Sequence, residues 1–279
     1  MLFTRQHITK TQRGLWLRDG DLRKVLRPGT YFVPGKLWLG PAEAVTVFDI
    51  VENPRFRHAR ETALLKEPAL REHLRIVELG ETQRAIVWLD GRVIDVVGQG
   101  VAGFWEDAGE LKVEVFDVTA VAFEHPLSKR LLRDPFVRKH MTVADVGENQ
   151  RGLVSLDGQL FDVLEPGRYG FWRDAGDVAL SVLDIGDARF ALRVSDHLLK
   201  NELLRKHLHV IELTDTQRTV VWLDGRVIDI VGAGTFGYWR AAGTLYVETF
   251  DVTDVKLTHA DVQAIAGHEK AGDWLKVFR

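Results

Sequence analysis

A Gln-Arg pair occurs four times in this chain, as Gln12-Arg13, Gln83-Arg84, Gln150-Arg151 and Gln217-Arg218, at spacings of 71, 67 and 67 residues. Six residues after each arginine comes Asp-Gly, at Asp19, Asp90, Asp157 and Asp224. An aspartate also closes a later apolar run in every copy, at Asp49, Asp117, Asp184 and Asp251. Periodic self-similarity on this scale constrains the fold strongly, because a small repeated unit buries its apolar face against its neighbours. The expected units are 1–73, 74–140, 141–207 and 208–279, the last including a C-terminal tail. Copies one and three share "QRGL" and Pro-Gly-x-Tyr, whereas copies two and four share "TQRAIVWLDGRVIDVVG" and "TQRTVVWLDGRVIDIVG". The alternation implies a duplicated pair, with double-units near 1–140 and 141–279.

Each copy predicts a mainly β unit with short helical connectors. "RTVVWL-DG-RVIDIV" is two strands joined by Asp-Gly, a turn whose two central residues need positive φ. A glycine turn and an aromatic strand follow, and "DAG" at Asp107–Gly109 and Asp174–Gly176 reads as a three-residue hairpin loop before the last strand. Copy one carries a longer loop, "PGKLWLGPAEA". Leucines at helical spacing (Leu64, Leu65, Leu70; Leu131, Leu132; Leu198, Leu199) mark the connectors. Pro68 and Pro135 split them into two short helices, with Asp134 and Asn201 as N-caps.

The net charge is −3, from 37 basic and 40 acidic residues mixed along the chain, which gives no footprint for nucleic acid. There is no cysteine, so disulfides and thiolate metal sites are excluded. No stretch has the roughly 20 apolar residues of a membrane span, and no secretory signal opens the sequence. A cytoplasmic protein is expected.

The candidate chemistry reads mostly as architecture. Gly98-x-Gly100-x-x-Gly103 and Gly232-x-Gly234-x-x-Gly237 match a dinucleotide loop, with Asp117 and Asp251 where a ribose-binding acid would fall. That loop needs a helix directly after the glycines, and "FWEDAGE" leaves no room for one before the next strand. No cofactor is therefore expected. Arg13, Arg84, Arg151 and Arg218 are expected to pair structurally with an aspartate within the copy or across its boundary; a repeated ligand site is the other reading. Trp105, Trp172 and Trp239 share one repeat position and read as core, with a row of binding aromatics as the alternative; Trp88 and Trp222 pose the same choice. His73, His140 and His207 are equivalent connector positions. His207 and His209 would share a strand face if that segment is a strand. His259, Asp261, His268 and Glu269 belong to the tail and show no metal-ligand spacing, so neither a metal nor a catalytic residue is assigned.

The unit "QRGLVSLDGQLFDVLEPGRYGFW" resembles a segment of bacterial slipins, the stomatin-like branch of the SPFH (band 7) proteins, and more faintly the β-repeats of the major vault protein. The resemblance covers all four copies. After them remains "THADVQAIAGHEKAGDWLKVFR", shorter than an SPFH domain. The resemblance implies self-assembly and membrane-associated scaffolding, hence a location peripheral to a membrane, and it carries over no catalytic residue.

These readings converge on a non-enzymatic structural scaffold that partners protein, chiefly itself as a homo-oligomer. The alternatives are a ligand- or protein-binding array using the aromatic positions, and an enzyme with a site in the tail.

Overall fold

The computed structural model describes residues 3–34, 43–190, 196–253 and 256–276. It is mainly β with short helices, and one five-strand plan recurs four times. Copy 1 holds β1 (Phe3–Ile8), β2 (Gln12–Arg18), β3 (Asp21–Leu26), β4 (Gly29–Pro34) and β5 (Glu43–Asp49). Copy 2 holds β6 (Leu74–Leu79), β7 (Gln83–Leu89), β8 (Arg92–Val97), β9 (Gly100–Trp105) and β10 (Leu111–Asp117). Copy 3 holds β11 (Met141–Val146), β12 (Gln150–Leu156), β13 (Gln159–Leu164), β14 (Gly167–Trp172) and β15 (Val178–Asp184). Copy 4 holds β16 (Leu208–Leu213), β17 (Gln217–Leu223), β18 (Arg226–Val231), β19 (Gly234–Trp239) and β20 (Leu245–Asp251). Most of the longer loop of copy 1, residues 35–42, lies outside the described residues.

The Asp-Gly signal folds as read. Asp19, Asp90, Asp157 and Asp224 have φ of 51°, 49°, 50° and 48°, and the glycine after each is also positive. Pairing runs up to the turn, with Leu89 opposite Arg92 and Leu223 opposite Arg226. The last strand of each copy adds to the hairpin's first, giving the orders β3-β2-β5, β8-β7-β10, β13-β12-β15 and β18-β17-β20. The copy's first and fourth strands leave this sheet and form a separate ribbon, as in β1-β4, β6-β9 and β16-β19.

"DAG" is therefore not a hairpin loop. Glu106–Ala108 and Arg173–Ala175 are single 3-10 turns. β9 pairs with β6 whereas β10 pairs with β7, so the turn carries the chain from ribbon to sheet. The turn Asp of the hairpin fixes that exit: Asp90 accepts the Glu110 N–H at 2.9 Å and donates its own N–H to the Glu110 carbonyl at 3.0 Å. Asp157 and Asp224 accept the Asp177 and Thr244 N–H groups in the same way.

The connectors hold α1 (Glu61–Leu64), α2 (Pro68–Arg71), α3 (Ser128–Leu131), α4 (Pro135–Arg138), α5 (Asp196–Leu199) and α6 (Glu202–His207). Pro68 and Pro135 open their helices, and Asp134 and Asn201 cap theirs through side-chain oxygens, as expected. The tail repeats the connector with α7 (Val262–Ala266) and a 3-10 turn, Glu269–Asp273.

The chain divides into two compact units, 1–142 with 170–175 and 143–169 with 176–279. β11 and β14 are each divided between them. The division near 142 lies close to the pair boundary read from the sequence. Within each unit the packing module is offset from the sequence repeat. In the first, Leu15, Val25, Phe56 and Leu64 of copy 1 and its connector share one core with Leu74 and Trp105 of the copy 2 ribbon. The other face of that ribbon, with Val77, Ala102 and Phe104, packs on Val87 and Val97 of its own sheet. The second unit repeats this: Trp239 joins Leu153, Val163 and Phe190, while Ile211 and Tyr238 join Val221 and Val231. Sheets so arranged bury both faces, which is why the hairpin strands read as continuous apolar runs rather than alternating ones.

Candidate protein-interaction site

The Gln-Arg pairs build the seams between copies. Each glutamine closes the turn before its own strand: Gln12, Gln83, Gln150 and Gln217 accept the N–H of Thr9, Gly80, Gly147 and Thr214 at 2.9–3.1 Å. Each arginine then points an Nη1 donor at the same turn; Arg84 reaches the Glu81 carbonyl at 2.9 Å and the Gln83 carbonyl at 2.7 Å. The rest of the guanidinium crosses to the next copy. Arg13 Nη2 meets Asp107 at 2.6 Å, and Arg84 Nε meets Asp174 at 2.8 Å. The acid is thus that of "DAG", two residues after the buried tryptophan, and not the strand-end aspartate. At the third seam Ala241 stands at the acid's position, and among the described residues Arg151 keeps only its carbonyl bond, to Gln150 at 2.7 Å.

The strand-end aspartates work locally. Asp49 accepts the Val51 and Glu52 N–H groups, Asp184 the Gly186 N–H, and Asp117 and Asp251 both the N–H and the hydroxyl of Thr119 and Thr253. Those threonine bonds hold the Asp117 and Asp251 carboxyls below their ordinary value. Trp105, Trp172 and Trp239 are each 1% exposed, so they form core and not an exposed stripe; Trp88 and Trp222 are buried as well. Trp172 lies 5.8 Å from Phe116 and edge-on to Phe123 at 5.5 Å.

The copy 4 sheet differs from the others on its outer face. Val220, Ile230, Phe250, Val252, Leu257 and Ile265 line a cavity of about 680 Å³. The repeat places these residues where copy 1 has Leu15, Val25, Phe48, Ile50, Phe56 and Leu64, and copy 3 has Leu153, Val163, Leu183, Ile185, Phe190 and Leu198. In those copies the positions enclose Trp105 and Trp239. Ile50 and Ile185 are 1% and 2% exposed, whereas Val252 is 47% exposed. Arg218 borders the cavity. It keeps the clamp on its own turn, to the Asp215 carbonyl at 2.9 Å and the Gln217 carbonyl at 2.6 Å. Its buried Nε has no hydrogen-bond partner among the described residues, and the half-exposed Trp274 ring lies over the guanidinium at 4.1 Å.

The glycine triplets open no helix: Gly98 and Gly232 occupy turns, and Gly100–Trp105 and Gly234–Trp239 are strands. Gly103 is needed for approach, since a Cβ there would stand 2.8 Å from Leu65. His207 ends α6 while His209 lies in β16, so the pair does not share a strand face. Burial lowers the pKa of His73, His140 and His209 below the ordinary histidine value. The tail histidines are repeat positions after all. His259 repeats His58 and His125; each accepts, at Nδ1, the N–H two residues on. His268 caps its turn at the position of Asp134 and Asn201. Among the described residues no group of three or more His, Asp or Glu could hold a metal ion. No helix among them is long and apolar enough to cross a membrane. The residue types alone did not mark the cavity; the 67-residue register, carried into the tail, would have located it.

Fold and seams together define a tandem β-repeat array. No family model matches the chain, and no curated protein matches it. Among solved structures it is similar to a "Central Fibronectin-III array of RIM-binding protein", at 10% identity over 67% of this chain and 86% of that one, with a TM-score of 0.12. A likeness at that score carries no argument about fold or function.

Proposed function

We propose that the protein is a non-enzymatic structural scaffold of slipin-like repeats that associates with protein through sheet and ribbon faces its inner copies bury. The cavity on the copy 4 sheet carries this reading, because its six positions pack on a neighbouring ribbon in copies 1 and 3, whereas in copy 4 the tail buries Val220, Ile230 and Ile265 and leaves Val252 47% exposed. A cytoplasmic location belongs to the same proposal, and its placement peripheral to a membrane rests on the slipin resemblance alone. Self-association is the simplest form of it. The β1-β4 ribbon also exposes apolar side chains, with Phe3 59% and Phe32 64% exposed. It is not a copy of the inner ribbons, however: Phe32 and Pro34 stand where Gly103 and Trp105 stand. Sedimentation velocity over a wide concentration range, with negative-stain microscopy, tests self-association. Rings, filaments or closed oligomers support it; a strict monomer removes it and leaves the scaffold to a different protein partner. The second reading, a binding array on Trp105, Trp172 and Trp239, lacks exposed rings to support it.

A further inference from the structure

The connector after copy 2 collects charge of one sign. Lys129, Arg130, Arg133, Arg138 and Lys139 are all exposed, while Leu131, Leu132 and Val137 between them are buried. Arg173 adds a sixth exposed cation, because its N–H donates to the His140 carbonyl at 3.0 Å and so holds it at the end of that connector. Among the described residues none of the six takes part in an ion pair or a side-chain hydrogen bond. Arg71 and Arg205, the equivalents of Arg138, do: they pair with Glu78 and Glu212. The whole chain is net −3, so the excess of positive charge is local. Clustered like charge repels itself, and an anionic partner relieves that cost. Phe136, 40% exposed, stands among the cations with Lys139 Nζ 5.6 Å from its ring centre, and supplies the apolar centre a contact needs.

The complementary charge stands one repeat earlier. Glu72 and Glu106 occupy the positions of Lys139 and Arg173, and the same backbone bond joins them, from the Glu106 N–H to the His73 carbonyl at 3.1 Å. Glu110 and Asp90 adjoin them, joined by the bond from the Glu110 N–H to the Asp90 carboxylate. All four acids are exposed, and among the described residues none forms an ion pair. Arg27, whose charge reaches His73, offsets them in part, while Arg13 is spent on Asp107. The two corners therefore share one backbone plan and carry opposite charge.

We infer that the protein self-associates through these corners, the basic corner of one copy resting on the acidic corner of the next. Both lie in the first compact unit, and neither includes a residue of the copy 4 face. The inference rests on the self-association proposed above and names surfaces for it beyond the faces considered there. A second copy is favoured over an anionic membrane or another acidic protein because this chain itself carries the acids, on the backbone plan that presents the bases. The corners are unlike surfaces, so the contact runs head to tail and propagates into rings or filaments.

Sedimentation velocity of the intact protein tests this with two charge-reversed variants. Lys139→Glu with Arg173→Glu makes the basic corner acidic, and Glu72→Lys with Glu106→Lys makes the acidic corner basic. Each variant alone should associate about a hundredfold more weakly than the wild type, since like charges then face each other. A mixture of the two variants should associate again, and so should the chain carrying all four substitutions. The wild-type complex should weaken between about 0.1 M and about 1 M salt, as the Debye length falls from about 10 to about 3 Å. The four side chains are exposed and unpaired, so unfolding midpoints should not change, which separates lost contact from lost fold. Association indifferent to either variant, or a mixture that does not recover, overturns the inference and leaves self-association to another face. Loss in the basic-corner variant alone also overturns it, and binding of the wild type to anionic vesicles would then name the other occupant. A wild type that stays monomeric at low salt overturns both this inference and the self-association beneath it.

Discussion

Ala241→Asp should stabilise the protein, and only through Arg151. At the first two seams the arginine spends Nη1 on its own turn and presents its remaining donors to an aspartate two residues beyond the tryptophan of the next copy, at 2.6 and 2.8 Å. Arg151 is held the same way, 8% exposed with Nη1 on the Gln150 carbonyl, but Ala241 occupies the acid's position. The desolvation of the arginine has therefore already occurred, and the new carboxylate adds attraction without adding that cost. The gain is bounded by the acid's exposure. Asp107 and Asp174 are 50% and 41% exposed, so solvent screens the pair and the contribution is about 1 kcal/mol. In a chain of this size that raises Tm by about 2–4 °C. Urea unfolding followed by circular dichroism measures it, for Ala241→Asp, Arg151→Ala and the double variant. The gain should vanish in the Arg151→Ala background and shrink in high salt. An unchanged midpoint, or a gain that survives loss of Arg151, refutes the seam as a transferable Arg–Asp unit.

Trp239→Ala should cost about 3–5 kcal/mol in the same urea assay, because it empties a fully enclosed core, whereas Trp274→Ala, at a half-exposed ring, should cost under about 1 kcal/mol. Within the glycine triplet, Gly103→Ala should destabilise by about 1–3 kcal/mol through Leu65, and Gly98→Ala, whose Cβ meets nothing closer than 3.4 Å, should be nearly neutral by thermal melting; a nucleotide loop would not rank them so. Asp229 is buried, which alone would raise its pKa, but bonds from Lys270 and Tyr238 and the charge of Arg189 hold it below the ordinary 3.8. Its folded value is lower than its unfolded one, so its stabilisation is complete above about pH 4 and is lost as pH falls through the folded value. Urea midpoints across that range should fall in the wild type, and Asp229→Asn should be weaker at neutral pH and lose that slope.

The parts legible in the sequence are those fixed by local backbone demands. Asp-Gly needs positive φ at both residues wherever it stands, so all four hairpins could be read from the residues alone. Pro135 after Asp134 starts a helix for equally local reasons. What failed depends on partners far along the chain. β9 pairs with β6 across an intervening hairpin, so the "DAG" turn looked like the tip of a hairpin that does not exist. The arginines' acids were sought among the most regular aspartates, but Asp49 and Asp117 are consumed by the N–H groups just after them, and the true partners lie 94 and 90 residues away. The tail escaped notice because its repeat positions keep a role and change residue: Leu257 for Phe56, Ile265 for Leu64, His268 for the capping Asp134.

The offset between sequence repeat and packing module explains why the outer face of the copy 4 sheet differs from its equivalents in copies 1 and 3. A copy contributes its ribbon to the sheet before it and its sheet to the ribbon after it, so a copy 4 sheet built to the common plan has a face designed for a ribbon. The tail covers part of that face. Ile265 and Ala271 pack against Val220 and Ile230, and Lys270 reaches Asp229 at 2.7 Å. Arg218 keeps its clamp, with Trp274 stacked over the guanidinium and Nε buried without a hydrogen-bond partner among the described residues. Copy 3 keeps Arg151 without an acid at a seam whose Trp239 is 1% exposed, so the clamp on the turn accounts for an arginine at this position whether the face beside it is open or closed.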